Sequence, residues 1–489
     1  MRSLLWRMLL IPMVLAPGAR PLSSQTSARE LVSRSVSAIG GEPAVRSLRN
    51  KVVEFHSVTY GLGQEETALS PARATIGIGR TVTDFSGVRI LTTQEVRLVT
   101  GVVNRQRRVG LATMSLLENN GVFAMDPPNV VAGLERAMTW SPERILLSAL
   151  DQGNAVSLVR PRSLRGEIVD GIRVLLGSDT VTMWFDRHTG LPVATETLID
   201  DDVLGDRRTI NWYTRWQDAG GLLLPRQADT EVNGRLLSHT VFPTAAVNQT
   251  LDPAQFIIPD SMASRAPRMP AVPPAIVVNL VELGAGVWRA EGGSHHSLVV
   301  EQGRGLLVVE APQSAARSAA VLDTLRRRFP NQPVTAVVLT HHHHDHSGGL
   351  RAYQARGIRV LAHYRNAEFV RTVAAARKTV APDRLSRGSP GPGVTPVRDS
   401  LSLGTGPGRV VLYPVPSIHA EGILAAWVPS AGILFTSDVL TPAPNQPPAA
   451  VGSRELAAFA RGVGIAPRRY SGGHGVTIDW SVIDAAARP

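Results

Sequence analysis

The stretch Thr340-His341-His342-His343-His344-Asp345-His346-Ser347-Gly348-Gly349 constrains this chain more than any other. It follows Val334-Thr335-Ala336-Val337-Val338-Leu339, a short, β-branched apolar run that reads as a buried strand. A strand ending in imidazoles and a carboxylate sets several metal-ligating side chains on one sheet edge. Asp345-His346 fixes the register to H-x-H-x-D-H, so His341 and His343 are the spaced pair. In extended backbone, residues two apart project to the same side, and two imidazoles so placed can converge on one ion. Asp345 and His346 lie beyond the bend, free to turn toward a second ion. His342 and His344 point the other way, as supporting or exposed groups. Gly348 and Gly349 are expected to let the chain turn sharply into a helix that begins at Leu350. A histidine run alone would read as a metal-scavenging tract. Such a tract needs neither the Asp-His ending nor the strand before it.

At 489 residues the chain exceeds one ordinary core, which implies two domains behind any leader. Met1-Arg2 opens a positive segment, Met8 to Ala16 is a short apolar one, and small residues follow at Gly18 and Ala19. Residues 1–24 therefore read as an export signal, with an uncleaved anchor as the alternative. A periplasmic or secreted protein with no stable membrane span after signal removal is the expectation. Cysteine is absent, which excludes disulfides, thiolate zinc sites and cysteine nucleophiles. The net charge of +11 is carried almost wholly by arginine, Lys51 and Lys378 being the only lysines. No concentrated basic run carries interleaved aromatics, so nucleic acid is not an expected partner.

Residues 25–260 read as a β-rich domain. Two helical pieces broken at Gly40-Gly41 come first, then many short β-like runs such as Val52–Phe55, Val181–Phe185 and Ile210–Tyr213. Turn signals separate them at Asn119-Asn120-Gly121, Gly220-Gly221 and Asn233-Gly234, and Ser141-Pro142 starts a helix through Leu150. His56, His188 and His239 stand alone there, as structural or exposed groups. The strand-turn-strand phrases resemble the curved antiparallel sheets of lipoprotein-carrier periplasmic domains. Residues 261–275, rich in proline and alanine, read as a linker. From 276 to 489 strands alternate with helices, including one capped by Ser314, as in sheets covered by helices.

Thr340, the H-x-H-x-D-H register and the glycine pair resemble the THxHxDHxGG signature of the metallo-β-lactamase-fold hydrolases. The resemblance covers roughly residues 280 to 485 and implies an αββα sandwich. Further ligands should then appear at later strand ends, and His419, Asp438 and His474 follow the apolar runs Arg409–Tyr413, Gly432–Thr436 and the stretch around Tyr470. The resemblance implies His341, His343 and His419 around one ion, Asp345, His346 and His474 around the other, and Asp438 bridging. Two Zn²⁺ per chain are expected, although Fe or Mn would accept the same donors. With that set complete, His295 and His296 are expected to be structural, lining the cleft mouth being the alternative.

Such a pair of ions would hold a bridging water and generate hydroxide near neutral pH, with Asp345 orienting that nucleophile. The implied substrate is a small molecule carrying an ester, lactone, thioester, amide or phosphodiester-type bond. Asp438, where many β-lactamases of this fold lack a carboxylate, looks more like the glyoxalase-type, lactonase and phosphodiesterase branches. His419 precedes Ala420-Glu421-Gly422 rather than Thr-x-Gly, a departure from those patterns. Thr441 to Ala450 is expected to overhang the cleft and shape substrate access. The competing reading is a ligand-binding protein whose metal half is structural or metal-storing.

Overall fold

The computed structural model describes residues 27–267, 275–388 and 391–488. Residues 1–24, read above as an export signal, and residues 268–274 of the proline-rich segment lie outside them. Among the described residues no helix is long and apolar enough to cross a membrane.

The first half is built on one 14-stranded sheet whose neighbouring strands run antiparallel. Its hairpins follow from local turn chemistry. Asn120-Gly121 and Asn233-Gly234 both adopt positive φ (49° and 82°, 48° and 81°), the conformation a two-residue hairpin of the right twist requires. The helix Ala28–Ala38 carries a capping box between Ser27 and Glu30 and buries Leu31, Val32 and Val36. With the helix Pro142–Gln152 it covers one face of the sheet, packing on Ile172, Val174, Val181 and Met183. The strand Asn50–Tyr60 pairs with Ala74–Asp84 over its whole length. At about 3.4 Å per residue this hairpin is roughly 35 Å long, and its loop, 61–73, stands well beyond the sheet's centre.

The second half contains a seven-stranded and a six-stranded sheet. In the first, the strands Gly305–Val309, Val334–Leu339, Arg359–His363 and Val394–Val397 are parallel, which requires helical crossovers. Because side chains alternate, each strand feeds two cores. Leu307, Val309, Ala336 and Val338 face the second sheet, where Leu412, Leu424, Ala426 and Phe435 meet them. Leu306, Val308, Val337 and Leu339 face the helices, with Val321, Leu325, Tyr353 and Val370. A matching core of Leu434, Leu456, Phe459 and Ile483 closes the far side of the second sheet. The layers are thus helix, sheet, sheet, helix, and burial on both faces explains why these strands read as continuous apolar runs. Ser314 caps the helix Ala315–Arg328 by accepting from the Arg317 amide at 3.1 Å.

Two hairpins of the first half dock on the second. At one turn, Asp202 accepts from the Ala315 amide at 3.1 Å, Asp206 accepts from the Thr379 amide and hydroxyl, and Asp200 pairs with Lys378. Val203 from this turn enters the helix-side core. The loop 61–73 makes the other contact, beside the histidine run.

Both lysines of the chain thus sit in ion pairs, the other being Lys51 with the fully buried Glu143 at 2.5 Å. Burial pushes the Glu143 carboxyl up, but the Lys51 charge and hydrogen bond outweigh it and hold it below its ordinary value. That depressed carboxyl contributes stability above its unfolded pKa and loses it as pH falls. Lys51→Met leaves the charge unpaired and is expected to cost roughly 3–5 kcal/mol in urea unfolding near neutral pH. The deficit should shrink as pH falls through the carboxylate range; a deficit independent of pH would contradict this account.

Candidate metal centre

The first sheet and the second present their chemistry at one edge. Glu310 follows the strand Gly305–Val309, His341 follows Val334–Leu339, His419 follows Val410–Val415, Asp438 follows Ile433–Thr436, and His474 follows Arg469–Gly472. All are at carboxyl ends of strands, where open sheets with covering helices place their sites. His295 precedes Ser297–Gln302, a strand antiparallel to Gly305–Val309, so it reaches the same edge from the other direction.

The structure brings all seven residues singled out in the sequence together, in two groups. In one, donor atoms of His341, His343, His419 and Asp438 lie within 4.8 Å of one another. In the other, those of His295, Asp345, His346 and His474 do so. Asp438 stands between them. Its Oδ2 is 3.0 Å from His346 Nε2, 3.3 Å from His419 Nε2 and 4.0 Å from His341 Nε2, and its Oδ1 is 3.2 Å from His474 Nε2.

In His341, His343, His346 and His474 one ring nitrogen is already committed, which fixes which nitrogen faces the site. Glu310, fully buried, accepts from His346 Nδ1 at 3.1 Å and from the Thr340 and Ser437 hydroxyls at 2.7 and 2.5 Å. Thr340, having donated its proton, accepts from His341 Nδ1 at 3.1 Å. His343 Nε2 donates to the Glu65 carbonyl at 2.8 Å, and His474 Nδ1 to the Ser294 carbonyl at 3.0 Å. The free nitrogens then face one another: His343 Nδ1 is 2.9 Å from His419 Nε2, and His346 Nε2 is 3.2 Å from His474 Nε2. His341 Nε2 is buried with no hydrogen-bond partner. Buried imidazole nitrogens and carboxylate oxygens converging on shared space, one of them left without a hydrogen-bond partner, make a donor set that fits divalent metal ions.

The electrostatics agree. Burial holds His341 well below its ordinary pKa and His343 near about 4, the neutral form a ligand needs. Burial would also depress His346, but the Glu310 charge and hydrogen bonds to Asp345 and Asp438 push it up to about 12. The pocket thus demands positive charge. Burial likewise acts to raise Asp345 and Asp438, and the surrounding imidazoles hold both carboxyls well below the usual range. Glu310 and Asp438 adopt φ of 89° and 62°, a conformation that non-glycine residues rarely take and that clusters at functional sites.

Several expectations need correction. Gly348 and Gly349 have ordinary helical φ of −58° and −88°, so no sharp turn depends on them. They are required by close approach: a Cβ would lie 2.2 Å from the Gln313 carbonyl in one and 1.9 Å from Ser318 Oγ in the other. His295 is no bystander, since its ring lies 4.0 Å from that of His474 and its Nε2 is 3.5 Å from Asp345 Oδ2. Of the two alternatives for His342, supporting or exposed, the first applies: it is buried and donates to the Glu65 carbonyl at 3.0 Å. With His344 it borders a cavity of about 520 Å³ shared with Leu69, Arg235 and Phe369, to which none of the seven contributes. In the Thr441–Ala450 segment, Pro442 accepts from the Val476 amide at 3.0 Å, bracing the turn that carries His474. Glu310 was missed; its signal was a single acid closing an otherwise apolar strand.

Comparison with known proteins concerns this half. Residues 290–483 match the model of a family described as the metallo-beta-lactamase superfamily. The 2,4-dinitroanisole O-demethylase subunit alpha of Nocardioides sp. (strain JS1661) is 24% identical over 164 residues, 32% of this chain and 45% of that protein. Metallo-beta-lactamase IND-1 of Chryseobacterium indologenes is 29% identical over 94 residues, 19% of this chain and 39% of that protein. The chain therefore spans less than half the length of either relative. Among solved structures, a metallo-beta-lactamase from Pontibacter korlensis aligns at 19% identity with a TM-score of 0.33, covering 42% of this chain and 96% of its own. The metallo-beta-lactamase FIM-1 from Pseudomonas aeruginosa, in a mono-zinc form, gives 17% and 0.33, with 44% and 95% covered.

Glu310→Gln should weaken binding of Zn²⁺ roughly tenfold to a hundredfold, the usual effect of removing a group that orients a ligand. Isothermal calorimetry on a variant with unchanged circular dichroism checks it; wild-type affinity would remove Glu310 from the site.

Proposed function

Taking residues 290–483 as a metallo-β-lactamase-superfamily domain, we propose that this chain is a dinuclear zinc hydrolase acting on a small molecule. The observation that carries the reading is the pair of interlocked donor groups with lone pairs converging on shared space. His341, His343 and His419 would hold one ion and Asp345, His346 and His474 the other, with His295 within reach of the second and Asp438 shared. When bound, such ions lower the pKa of water from 15.7 toward about 7 and polarise a substrate oxygen.

The chain's own residues supply the rest. Asp345 is ionised, with Oδ1 held by Gln64 at 2.7 Å and Oδ2 turned toward His346 at 3.4 Å. Its carboxylate is positioned to accept a hydrogen bond from the attacking water and orient its lone pair. Glu310 keeps the protons of Thr340, Ser437 and His346 on the outer side, so that the inward nitrogens remain donors of electron pairs. Asp438 fixes the separation of the two groups through both oxygens. The bond cleaved is of ester, lactone, thioester, amide or phosphodiester type, with β-lactams not favoured. Export to a periplasmic or extracellular space is part of the proposal and rests on residues 1–24 of the sequence.

Metal analysis of the full chain should find about two ions. A reporter panel of ester, lactone, thioester, phosphodiester and β-lactam substrates should show turnover that chelation removes. Asp345→Ala should lower kcat by at least about a hundredfold, the scale of a positioned acid–base group. Bound metal with no turnover on any reporter would favour the ligand-binding reading, and no bound metal would end both.

A further inference from the structure

The loop 61–73 of the first half is hydrogen-bonded to the histidine run at several points. The Gly63 carbonyl accepts from the His344 amide at 3.0 Å. Gln64 Nε2 donates to Asp345 Oδ1 at 2.7 Å. The Glu65 carbonyl accepts from two rings at once, His342 and His343, at 3.0 and 2.8 Å. The same loop then crosses to the other side of the centre. The Glu66 carbonyl accepts from the Glu421 amide at 2.8 Å, and Arg73 donates to the His419 carbonyl at 3.0 Å. It therefore ties the end of the first sheet, which carries His341 to His346, to the loop of the second sheet that carries His419.

The loop is itself held in place. Glu65 is buried and pairs with Arg235 from the strand Arg235–Val241. Gly63 has φ of 83°, and a Cβ there would lie 2.4 Å from the His344 ring, so only glycine permits this approach.

We propose that the first half supplies a working part of the metal centre: the loop 61–73 selects the ligating nitrogen of His343 and sets the orientation of Asp345. With the Nε2 proton of His343 committed to the Glu65 carbonyl, Nδ1 is the nitrogen presented to His419 and the shared space. Gln64 occupies one oxygen of Asp345 and leaves the other for the site. Gln64 and Gly63 are thus positioning residues contributed across 281 residues of sequence in the case of Gln64 and Asp345. The inference rests on the dinuclear reading above.

The test compares full-length wild type with Gly63→Ala, Gln64→Ala and the control Leu69→Ser, whose residue is 85% exposed on the same loop. Zn²⁺ affinity is read by competition with a chromophoric chelator, ligand geometry by the visible spectrum of the Co²⁺ form, and folding by thermal unfolding. Gly63→Ala and Gln64→Ala should each weaken binding at one site roughly tenfold to a hundredfold and shift the Co²⁺ bands. Leu69→Ser should match wild type in both. If Gly63→Ala fails to fold, Gln64→Ala decides alone. Wild-type affinity and spectrum in Gln64→Ala and a folded Gly63→Ala would overturn the inference while leaving a metal-binding wild type, and with it the proposed function, intact. A wild type that takes up neither Zn²⁺ nor Co²⁺ would overturn both.

Discussion

Imidazole nitrogens that face one another at about 3 Å must share a proton or a cation between them. His343 and His419 stand so, and again His346 and His474, while His341 Nε2 beside them has no hydrogen-bond partner. A buried acceptor without a donor costs on the order of 1–3 kcal/mol, and several clustered together would not be kept for stability. The fold tolerates them because two sheets, packed on a shared apolar core, hold their strand ends in register. Backbone strain at Glu310 and Asp438 belongs to the same arrangement. Residues in unfavourable φ persist where surrounding structure overdetermines them, and each of these carboxylates binds three or more neighbours.

Much of this was legible because it is local. Strand Val334–Leu339 reads as buried from its composition, and the helix Ala315–Arg328 is announced by Ser314. Hairpins at Asn120-Gly121 and Asn233-Gly234 follow from two residues each. The antiparallel first half could be anticipated for the same reason, since turn spacing is a property of short windows, whereas the αββα layering was implied by the resemblance carried by the histidine motif. His419, Asp438 and His474 could be singled out only through resemblance, because nothing in their immediate surroundings distinguishes a ligand from a loop residue.

What escaped reading depends on distance or on shape. His295 joins the second group only because its strand is antiparallel to its neighbour and so begins at the edge where the others end. Gly348 and Gly349 looked like turn residues, yet their conformations are ordinary; what forbids a side chain is Gln313 and Ser318 lying against them. Pattern reading sees a glycine and infers freedom of φ. It cannot see the neighbour that a Cβ would strike.

The contribution of the first half was least legible, and for a chemical reason. Four of its contacts to the second half are made by three backbone carbonyls, those of Gly63, Glu65 and Glu66. A carbonyl has the same chemistry in every residue, so the groups accepting from His342, His343, His344 and Glu421 leave no mark on the sequence. Gln64 and Arg73, through their side chains, and Gly63, through its missing one, encode the contact directly. The aspartate-rich turn at 200–206 fixes the other docking point through side chains, on Ala315, Lys378 and Thr379. With the chain pinned there, a hairpin paired along its full length delivers the loop 61–73 to a set place. The sheet is in this sense a rigid arm, and the geometry at His343 depends on docking contacts made in a different part of the fold.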